Sequence, residues 1–273
     1  MEPSKSGMLT VPGAGIHYEV RGEGPLLLLI ASGDSDAAVF ERMAAVLAVE
    51  YRVVTYDPRG NSRSPLDGPP ADQRVEEHAE DACRLLDHLA GPDEPARVFG
   101  SCSGGVVALE LAIRRQERVR LVVVHEPPSF GLLPDAAATL RDIDDVHETF
   151  RREGAAPALR RFEAFFGGVP APELPEAHDN TVFFLAHVIR PFSHFVPDLA
   201  ALASIADRVV VAGGRASRTY LVHRPAAVLA QRLGRELALF PGGHIGYAKH
   251  PVEFARQLAE LFSQANGFPP HHP

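Results

Sequence analysis

The segment Val98-Phe99-Gly100-Ser101-Cys102-Ser103-Gly104-Gly105 decides the fold of this chain. An apolar run leads into it, and the pattern from Val106 to Leu111 predicts a helix. Glycines on both sides of Cys102 let the backbone close into a tight strand-to-helix turn, the Gly-x-nucleophile-x-Gly pattern of a nucleophile elbow. The apex side chain of such a turn is pushed into the open, and the free N–H groups of the helix point at any negative charge that forms there. Serine is usual at the apex, so the cysteine changes the chemistry and keeps the geometry.

The composition excludes several classes of partner. The chain has 273 residues, 45% of them hydrophobic, which is enough for one large α/β domain with an insertion. Its net charge of −8 argues against nucleic acid and against anionic membrane surfaces as partners. The longest apolar run, Leu26–Ala31, is too short to span a membrane, and Met1–Gly7 has no signal pattern, so we expect a cytoplasmic protein. Both cysteines, Cys83 and Cys102, are expected to be free thiols.

Predicted strands and helices alternate along most of the chain, which favours a mostly parallel sheet. The predicted strands are Ile16–Val20, Leu26–Ile30, Arg52–Tyr56, Arg97–Phe99, Leu121–Val124, Arg208–Ala212 and Leu237–Phe240. The helices predicted between and after them are Phe40–Leu47, Arg74–Ala90, Gly104–Arg115, Pro225–Leu233 and Val252–Ala265.

The pattern changes after residue 126. Helical segments without strands follow one another, joined by stretches rich in proline and glycine; they are Ala136–Glu153, Ala156–Phe166 and Asn180–Arg190. We therefore predict an α/β core of residues 1–126 and 203–273 and a helical cap of residues 127–202. Near the end of the chain, His271 and His272 have no other metal-binding side chain close by in the sequence, so we predict no metal site and no cofactor.

Three features in this order resemble the α/β-hydrolase superfamily. They are the elbow Gly100–Gly104, the loop Tyr56–Gly60 after the preceding strand, and Pro241-Gly242-Gly243-His244 after the last strand. The resemblance covers nearly the whole chain. It implies an α/β-hydrolase fold, with a mostly parallel sheet flanked by helices and a helical cap inserted after strand six. It also implies a catalytic triad of nucleophile, acid and histidine.

The acid of this implied triad departs from the commonest pattern. Many members carry an aspartate after the strand that precedes the histidine, but here Ala216 stands at that place. Other members place the acid one strand earlier, and at that position this chain has Glu126. The order nucleophile, acid, histidine is then Cys102, Glu126, His244. The rival base His125 alternates to the opposite side of its strand from Glu126.

These residue types predict acyl chemistry. The thiolate of Cys102 is the expected nucleophile, His244 the base that takes its proton, and Glu126 the acid that orients the imidazole. The backbone N–H groups of Gly33 and Ser103 are the expected oxyanion hole. The competing interpretation is an inert, buried cysteine in a degenerate elbow.

We therefore predict a cysteine-dependent enzyme that hydrolyses an ester, thioester or lactone, or transfers its acyl group, through an acyl-Cys102 intermediate. Phenylalanines of the cap indicate a small, apolar acyl substrate. Poly-hydroxyalkanoate synthases and dienelactone hydrolases resemble this chain in their elbow cysteine, whereas epoxide hydrolases and haloalkane dehalogenases carry a carboxylate there. Two alternatives stay open: a non-catalytic scaffold that binds a small apolar ligand, and a serine esterase with an engineered Ser→Cys substitution. The oligomeric state is left open.

Overall fold

One eight-stranded sheet forms the centre of the molecule. The computed structural model describes residues 4–91, 94–167 and 178–264. The strands are β1 (Lys5–Val11), β2 (Ala14–Arg21), β3 (Leu26–Ile30), β4 (Arg52–Tyr56), β5 (Ala96–Ser101), β6 (Val119–His125), β7 (Val209–Gly214) and β8 (Ala238–Phe240). They lie in the order β1-β2-β4-β3-β5-β6-β7-β8. Among these strands only β2 runs against its neighbours, so the predicted mostly parallel sheet is confirmed.

Helices follow most strands and fill the interval between β6 and β7. They are α1 (Glu41–Leu47), α2 (Val75–Leu89), α3 (Ser103–Arg114), α4 (Ala136–Glu153), α5 (Ala155–Phe162), α6 (His178–Phe183), α7 (Ile189–His194), α8 (Leu199–Ser204), α9 (Arg224–Arg232), α10 (Gly246–Lys249) and α11 (Pro251–Gln264). Within the described part of the chain, none of these helices has the length and apolar character needed to cross a bilayer.

The central strands are apolar throughout because helices cover both faces of the sheet. In β3, Leu28 and Ile30 join the core that includes α2 and α3. The alternate residues Leu27 and Leu29 join the opposite core, which includes α1 and α11. The cores on the two faces of the sheet therefore fix the position and direction of the strands whose ends carry the site residues.

The N-terminal edge of the sheet was not predicted. Strand β1 pairs with β2 through a tight turn at Gly13, whose φ is +81°. Most of its side chains are exposed or half-buried, as expected of an edge strand. An edge strand of this kind has no continuous apolar run, which is the signal that identifies the buried strands.

Between β6 and β7 the described residues form five helices, α4 to α8, and no strand. The predicted helix 180–190 is part of a longer helical stretch. There α6 continues into a π-helical turn, Phe184–Val188, and then into α7. The predicted helix 156–166 is α5 followed by a 3-10 turn, Glu163–Phe166. The paired histidines His271 and His272 lie outside the described residues.

Candidate active site

A sharp turn between β5 and α3 presents Cys102. Its φ of 52° and ψ of −124° lie in a region that L-residues rarely adopt, and the backbone N–H of Cys102 donates to the carbonyl of His125 at 2.9 Å. The glycines on either side are required, because a Cβ on Gly100 would lie 2.2 Å from the carbonyl oxygen of Gly104. A Cβ on Gly104 would lie 2.3 Å from the carbonyl oxygen of Ile30. The strained backbone is therefore held by close packing on both sides of the apex.

Glu126 is the first residue after β6, and its side chain is fully buried. His244 donates from Nδ1 to Glu126 Oε2 at 2.7 Å. The other carboxylate oxygen, Oε1, accepts from the backbone N–H of Gly214 at 2.8 Å, from Nδ1 of His223 at 2.8 Å, and from the hydroxyl of Ser217. Four donors therefore satisfy a buried carboxylate that would otherwise be costly to desolvate.

The electrostatics of this group favour a charged carboxylate beside a charged imidazole. Burial alone would raise the pKa of Glu126, but hydrogen bonds from His223 and His244 hold that pKa well below its usual range. Burial likewise acts to lower the pKa of His244. The negative charge of Cys102, its hydrogen bond to the imidazole, and the hydrogen bond and charge of Glu126 outweigh burial and raise the pKa of His244. The three side chains are thus coupled in one row, from Cys102 through His244 to Glu126.

Two expected oxyanion donors, Gly33 and Ser103, lie next to each other. A Cβ on Gly33 would lie 3.2 Å from Oγ of Ser103, the first residue of α3. Asn61 holds the loop that carries Gly33, because its Nδ2 donates to the carbonyls of Gly33 at 3.0 Å and Ser35 at 2.8 Å. Sequence inspection did not single out Asn61, which belongs to the polar loop after β4.

His125, the rival base, packs against the core that includes α1 and α11. Its ring packs edge-on against Phe254, with centroids 5.5 Å apart, and against Phe240 and Tyr247. Burial lowers the pKa of His125 to about 4, so its ring is neutral at physiological pH. The side chain of His125 contributes to packing, whereas His244 is the predicted base and its ring contacts Glu126.

A pocket opens above Cys102. Most of its wall is apolar and comes from the helices between β6 and β7. Its lining residues are Cys102, Ser103, Glu126, Pro128, Phe130, Phe162, Phe166, Phe184, Ile189, Ser193, Val222 and His244. The ring of Phe166 stands edge-on to that of His244 at a centroid distance of 5.0 Å, so the aromatic wall contacts the predicted base.

The π-helical turn Phe184–Val188 packs this wall against the loop that carries Gly33. A Cβ on Gly33 would lie 2.7 Å from Cγ1 of Val188 and 3.1 Å from Cδ2 of Phe184. Carbonyl groups of the wide turn have partners elsewhere: Leu185 O lies 2.8 Å from Nδ1 of His147, and His187 O accepts from the N–H of Gln73 at 2.9 Å. Such turns are common near functional sites, and this one places two apolar side chains at the predicted oxyanion loop.

The fold agrees with what sequence comparison finds. A profile of the family described as alpha/beta hydrolase fold matches residues 25–169, more than half of the chain. This chain belongs to the α/β-hydrolase family. The prediction of an α/β-hydrolase fold and of an enzyme of this type is thereby confirmed. The cysteine nucleophile is a finer prediction, which the comparisons do not address.

Several proteins of this hydrolase family are similar over almost their whole length. An uncharacterized hydrolase, YraK, of Bacillus subtilis is 35% identical and is covered to 96%, with 95% of this chain aligned. A zearalenone hydrolase of Cladophialophora bantiana is 27% identical, over 95% of this chain and 97% of that protein. A solved structure of a thermophilic esterase from Thermogutta terrifontis shares the fold, with a TM-score of 0.73 at 17% identity, covering 97% of this chain and 99% of that one.

The hydrolase has a second buried carboxylate, Asp57, directly after β4. Its Oδ1 accepts from the N–H of Ala37 at 3.0 Å and from Nη2 of Arg63 at 2.9 Å. Its Oδ2 accepts from Nε of Arg63 at 2.8 Å and from the backbone N–H of the same residue at 3.1 Å. Burial opposes ionisation, yet these donors keep the pKa of Asp57 below its usual range. The carboxylate joins loops, and neither of these hydrogen-bond partners lines the pocket described above.

His223 is the residue of this cluster that sequence inspection missed. It lies in a short 3-10 turn, Leu221–His223, before α9, and no recognised motif contains it. One signal was available: the end of β7 and the loop after it lack the usual acid and hold small or donating residues, Gly213, Gly214 and Ser217, in its place. A loop that donates hydrogen bonds indicates that the acid approaches from another strand.

Proposed function

We propose that this α/β-hydrolase cleaves an ester, thioester or lactone through a covalent acyl-Cys102 intermediate, with His244 as base, Glu126 as orienting acid, and Gly33 and Ser103 as oxyanion donors. One observation carries the proposal: Cys102 at the apex of the strained turn lines the same pocket as His244, whose imidazole is hydrogen-bonded to Glu126. This is the arrangement of nucleophile, base and orienting group that activates a side chain for attack.

The first step forms the acyl-enzyme. The Cys102 thiolate attacks the acyl carbon, a C–S bond forms, and the carbonyl electron pair moves onto oxygen, where the N–H groups of Gly33 and Ser103 stabilise the charge. The tetrahedral adduct then collapses and breaks the bond to the leaving alkoxide or thiolate. The leaving group takes the proton that His244 holds.

The second step releases the acid. Water enters, His244 accepts one of its protons, and the hydroxyl oxygen attacks the thioester carbon. The C–S bond breaks, the carboxylic acid leaves, and the Cys102 thiolate is restored beside the imidazolium. Because a thioester is an activated acyl group, an alcohol or amine in the same place would accept the acyl group instead of water.

The wall of the pocket supports a small, uncharged substrate with an apolar acyl part. Phenylalanines at 130, 162, 166 and 184 surround the approach to Cys102. We propose that residues 127–202 act as a cap that shapes this approach, over a core of residues 1–126 and 203–273. A relative of 27% identity is named a zearalenone hydrolase, which supports hydrolysis as the reaction here. Free thiols at Cys83 and Cys102 are in keeping with a cytoplasmic location.

The deciding experiment measures the intact mass of the enzyme after brief exposure to a panel of p-nitrophenyl esters and acyl thioesters. An adduct with the mass of the acyl group is expected, and neutral hydroxylamine should remove it because it is a thioester. Cys102→Ala should give no adduct and no turnover above background. Cys83→Ala is the matched control, since Cys83 is the other buried thiol and lies in α2. Turnover retained by Cys102→Ala would overturn the proposal.

Two further measurements separate the alternatives. A non-catalytic scaffold with an inert thiol would react with iodoacetamide at Cys102 no faster than free cysteine does, whereas an active pair reacts faster at neutral pH. The Cys102→Ser variant tests the other alternative. We expect Cys102→Ser to be slower than the native enzyme. A much faster turnover through an ester adduct, which neutral hydroxylamine does not remove, would show that the site is built for serine.

A further inference from the structure

We propose that His223 is a positioning residue, which acts through Glu126 to hold and tune His244. The inference rests on the function proposed above. It starts from the fact that the acid is shared by two histidines: His244 Nδ1 lies 2.7 Å from Oε2 of Glu126, and His223 Nδ1 lies 2.8 Å from Oε1. A triad requires only the first of these contacts.

Burial shows that the second contact is built into the fold. The side chain of His223 is 8% exposed and that of Glu126 is fully buried. Strand β7 makes room for the ring, since a Cβ on Gly213 would lie 2.5 Å from Cε1 and 2.7 Å from Nδ1 of His223. The neighbouring residue Val222 lines the pocket, so the short turn that carries the ring also forms part of the substrate wall.

The two oxygens of Glu126 have different environments. Oε2 accepts only from His244 among the described residues, whereas Oε1 accepts from His223, Gly214 and Ser217. Donors on Oε1 fix the carboxylate rotamer and draw its negative charge away from Oε2. The ring of His223 therefore limits how strongly the carboxylate attracts the proton of His244.

Other charged groups near the turn do not replace His223. Arg224 follows it but forms an exposed pair with Asp135 at 2.7 Å, on the outer side of the molecule. His125 faces Glu126 from the end of β6, and its ring belongs to the aromatic core below the sheet. The titratable side chains around His223 are thus Glu126, His244 and His125. The ring of His125 lies 6.3 Å from that of His244, and burial lowers the pKa of His125 to about 4, so this ring is neutral in the pH range of the basic limb.

Loss of the His223 donor should have two effects on catalysis. Glu126 becomes less firmly oriented, which lowers kcat. Its charge concentrates on His244, which makes the imidazolium harder to deprotonate, so the basic limb of the kcat/KM profile moves to higher pH. If His223 had only a packing role, its replacement would leave the basic limb where it is. A substitute that carries a donor would then give no particular recovery of kcat.

The test compares His223→Leu, which removes the donor, with His223→Asn, whose amide nitrogen can stand near the position of Nδ1. We expect His223→Leu to lower kcat about tenfold with little change in KM, and to move the basic limb up by about half a pH unit. His223→Asn should recover most of kcat and the native limb. His194→Leu is the matched control, because His194 also lies 3.0 Å from a carboxylate, that of Asp144, on an exposed surface.

An unchanged limb in His223→Leu, or an Asn variant as slow as the Leu variant, would overturn the role. If His223→Leu fails to fold, Gly213→Ala decides instead, because its methyl group displaces the ring: a slowed enzyme with a shifted limb is expected, and a native profile refutes the inference. Acyl-adduct mass is recorded in parallel. Failure of the proposed function appears as no adduct on Cys102 of the native enzyme, whereas failure of this inference leaves that native adduct in place.

Discussion

Asp57 and Glu126 are two buried carboxylates in equivalent places, and they have opposite kinds of partner. Each directly follows a parallel strand, β4 or β6, and each is fully buried. Asp57 is held by backbone N–H groups and by the guanidinium of Arg63, while Glu126 is held by two imidazoles, a backbone N–H and a hydroxyl.

The difference shows what fits a buried carboxylate for chemistry. A guanidinium keeps its protons at any physiological pH, so the pair of Asp57 and Arg63 is a fixed structural contact. An imidazole gains and loses a proton near neutrality, so charge on Glu126 can stabilise a proton that moves during a reaction. Both carboxylates have lowered pKa values and both are buried, so the identity of their donors is what distinguishes the structural contact of Asp57 from the acid proposed at Glu126.

The largest expected effect tests the catalytic half of this comparison. Glu126→Gln should lower kcat/KM by roughly 10²- to 10³-fold, because the amide cannot stabilise an imidazolium at His244 and can present a donor where an acceptor is needed. Steady-state kinetics on a p-nitrophenyl ester measures it. The loss should be smaller than for a serine triad, since a thiolate and imidazolium already stabilise each other.

The stability of the same variant is the control. Glu126→Gln should stay folded by circular dichroism, and a rate within twofold of native would move the acid role away from Glu126.

The next effect tests the structural half. Asp57→Asn should lower the free energy of unfolding by about 3 kcal/mol, because Arg63 keeps only Glu19 of its two carboxylate partners and the buried donors lose acceptors. The rate constant of the folded fraction should stay within about threefold of native, because neither hydrogen-bond partner of Asp57 lines the pocket. Urea unfolding and active-site-normalised kinetics measure the two quantities. A variant that is fully stable but inactive would reverse the roles given to the two carboxylates.

The smallest expected effect is a difference in how pH changes the stability contributed by His125, beside Glu126, and by Asp57. His125, next to Glu126, has a folded-state pKa lowered to about 4 by burial, against about 6.5 when unfolded. The fold favours its neutral form, so its contribution to stability is complete above pH 6.5 and is lost as pH falls toward 4. Asp57 has a lowered pKa, so its contribution is lost only below about pH 4.

Between pH 7 and pH 5 the native protein should therefore lose about 2 kcal/mol through His125, measured by urea unfolding at both values. His125→Leu should lose less over the same interval, with the remainder due to His78, whose pKa burial lowers to about 3. Asp57→Asn should lose as much as the native protein. Equal losses in the His125→Leu variant and the native protein would contradict this assignment.

The parts of the molecule that sequence predicts well are those with a local signal. The elbow around Cys102 needs glycines at fixed spacing, and β3 needs an apolar run, so both are visible in the chain itself. Glu126 was placed by the absence of an acid near Ala216 together with the strand order of the family. The structure brings Glu126 and His244 into hydrogen-bond contact, and their catalytic roles stay predictions until tested.

Other parts depend on contacts between distant residues and leave no such signal. His223 meets Glu126 across 97 positions of the chain, and no spacing rule links the two. Asn61 supports the loop of Gly33, 28 positions away, by donating to the backbone carbonyl of Gly33. Every residue type has this carbonyl, so the identity of residue 33 gives no signal of the contact. The edge strand β1 is held by pairing with β2 and not by burial, so its composition resembles that of a loop.

The π-helical turn at Phe184–Val188 makes the pocket wall sensitive to chain length. A π turn is, in effect, one residue more than an α-helix accommodates, and each residue of an α-helix advances about 100° around the axis. Removing one residue from this turn would restore a regular helix and rotate the following helix, so that Ile189 and Ser193 would leave the pocket. Within this family, a one-residue gap at the turn is therefore a route to a different substrate wall that leaves Cys102, Glu126 and His244 unchanged.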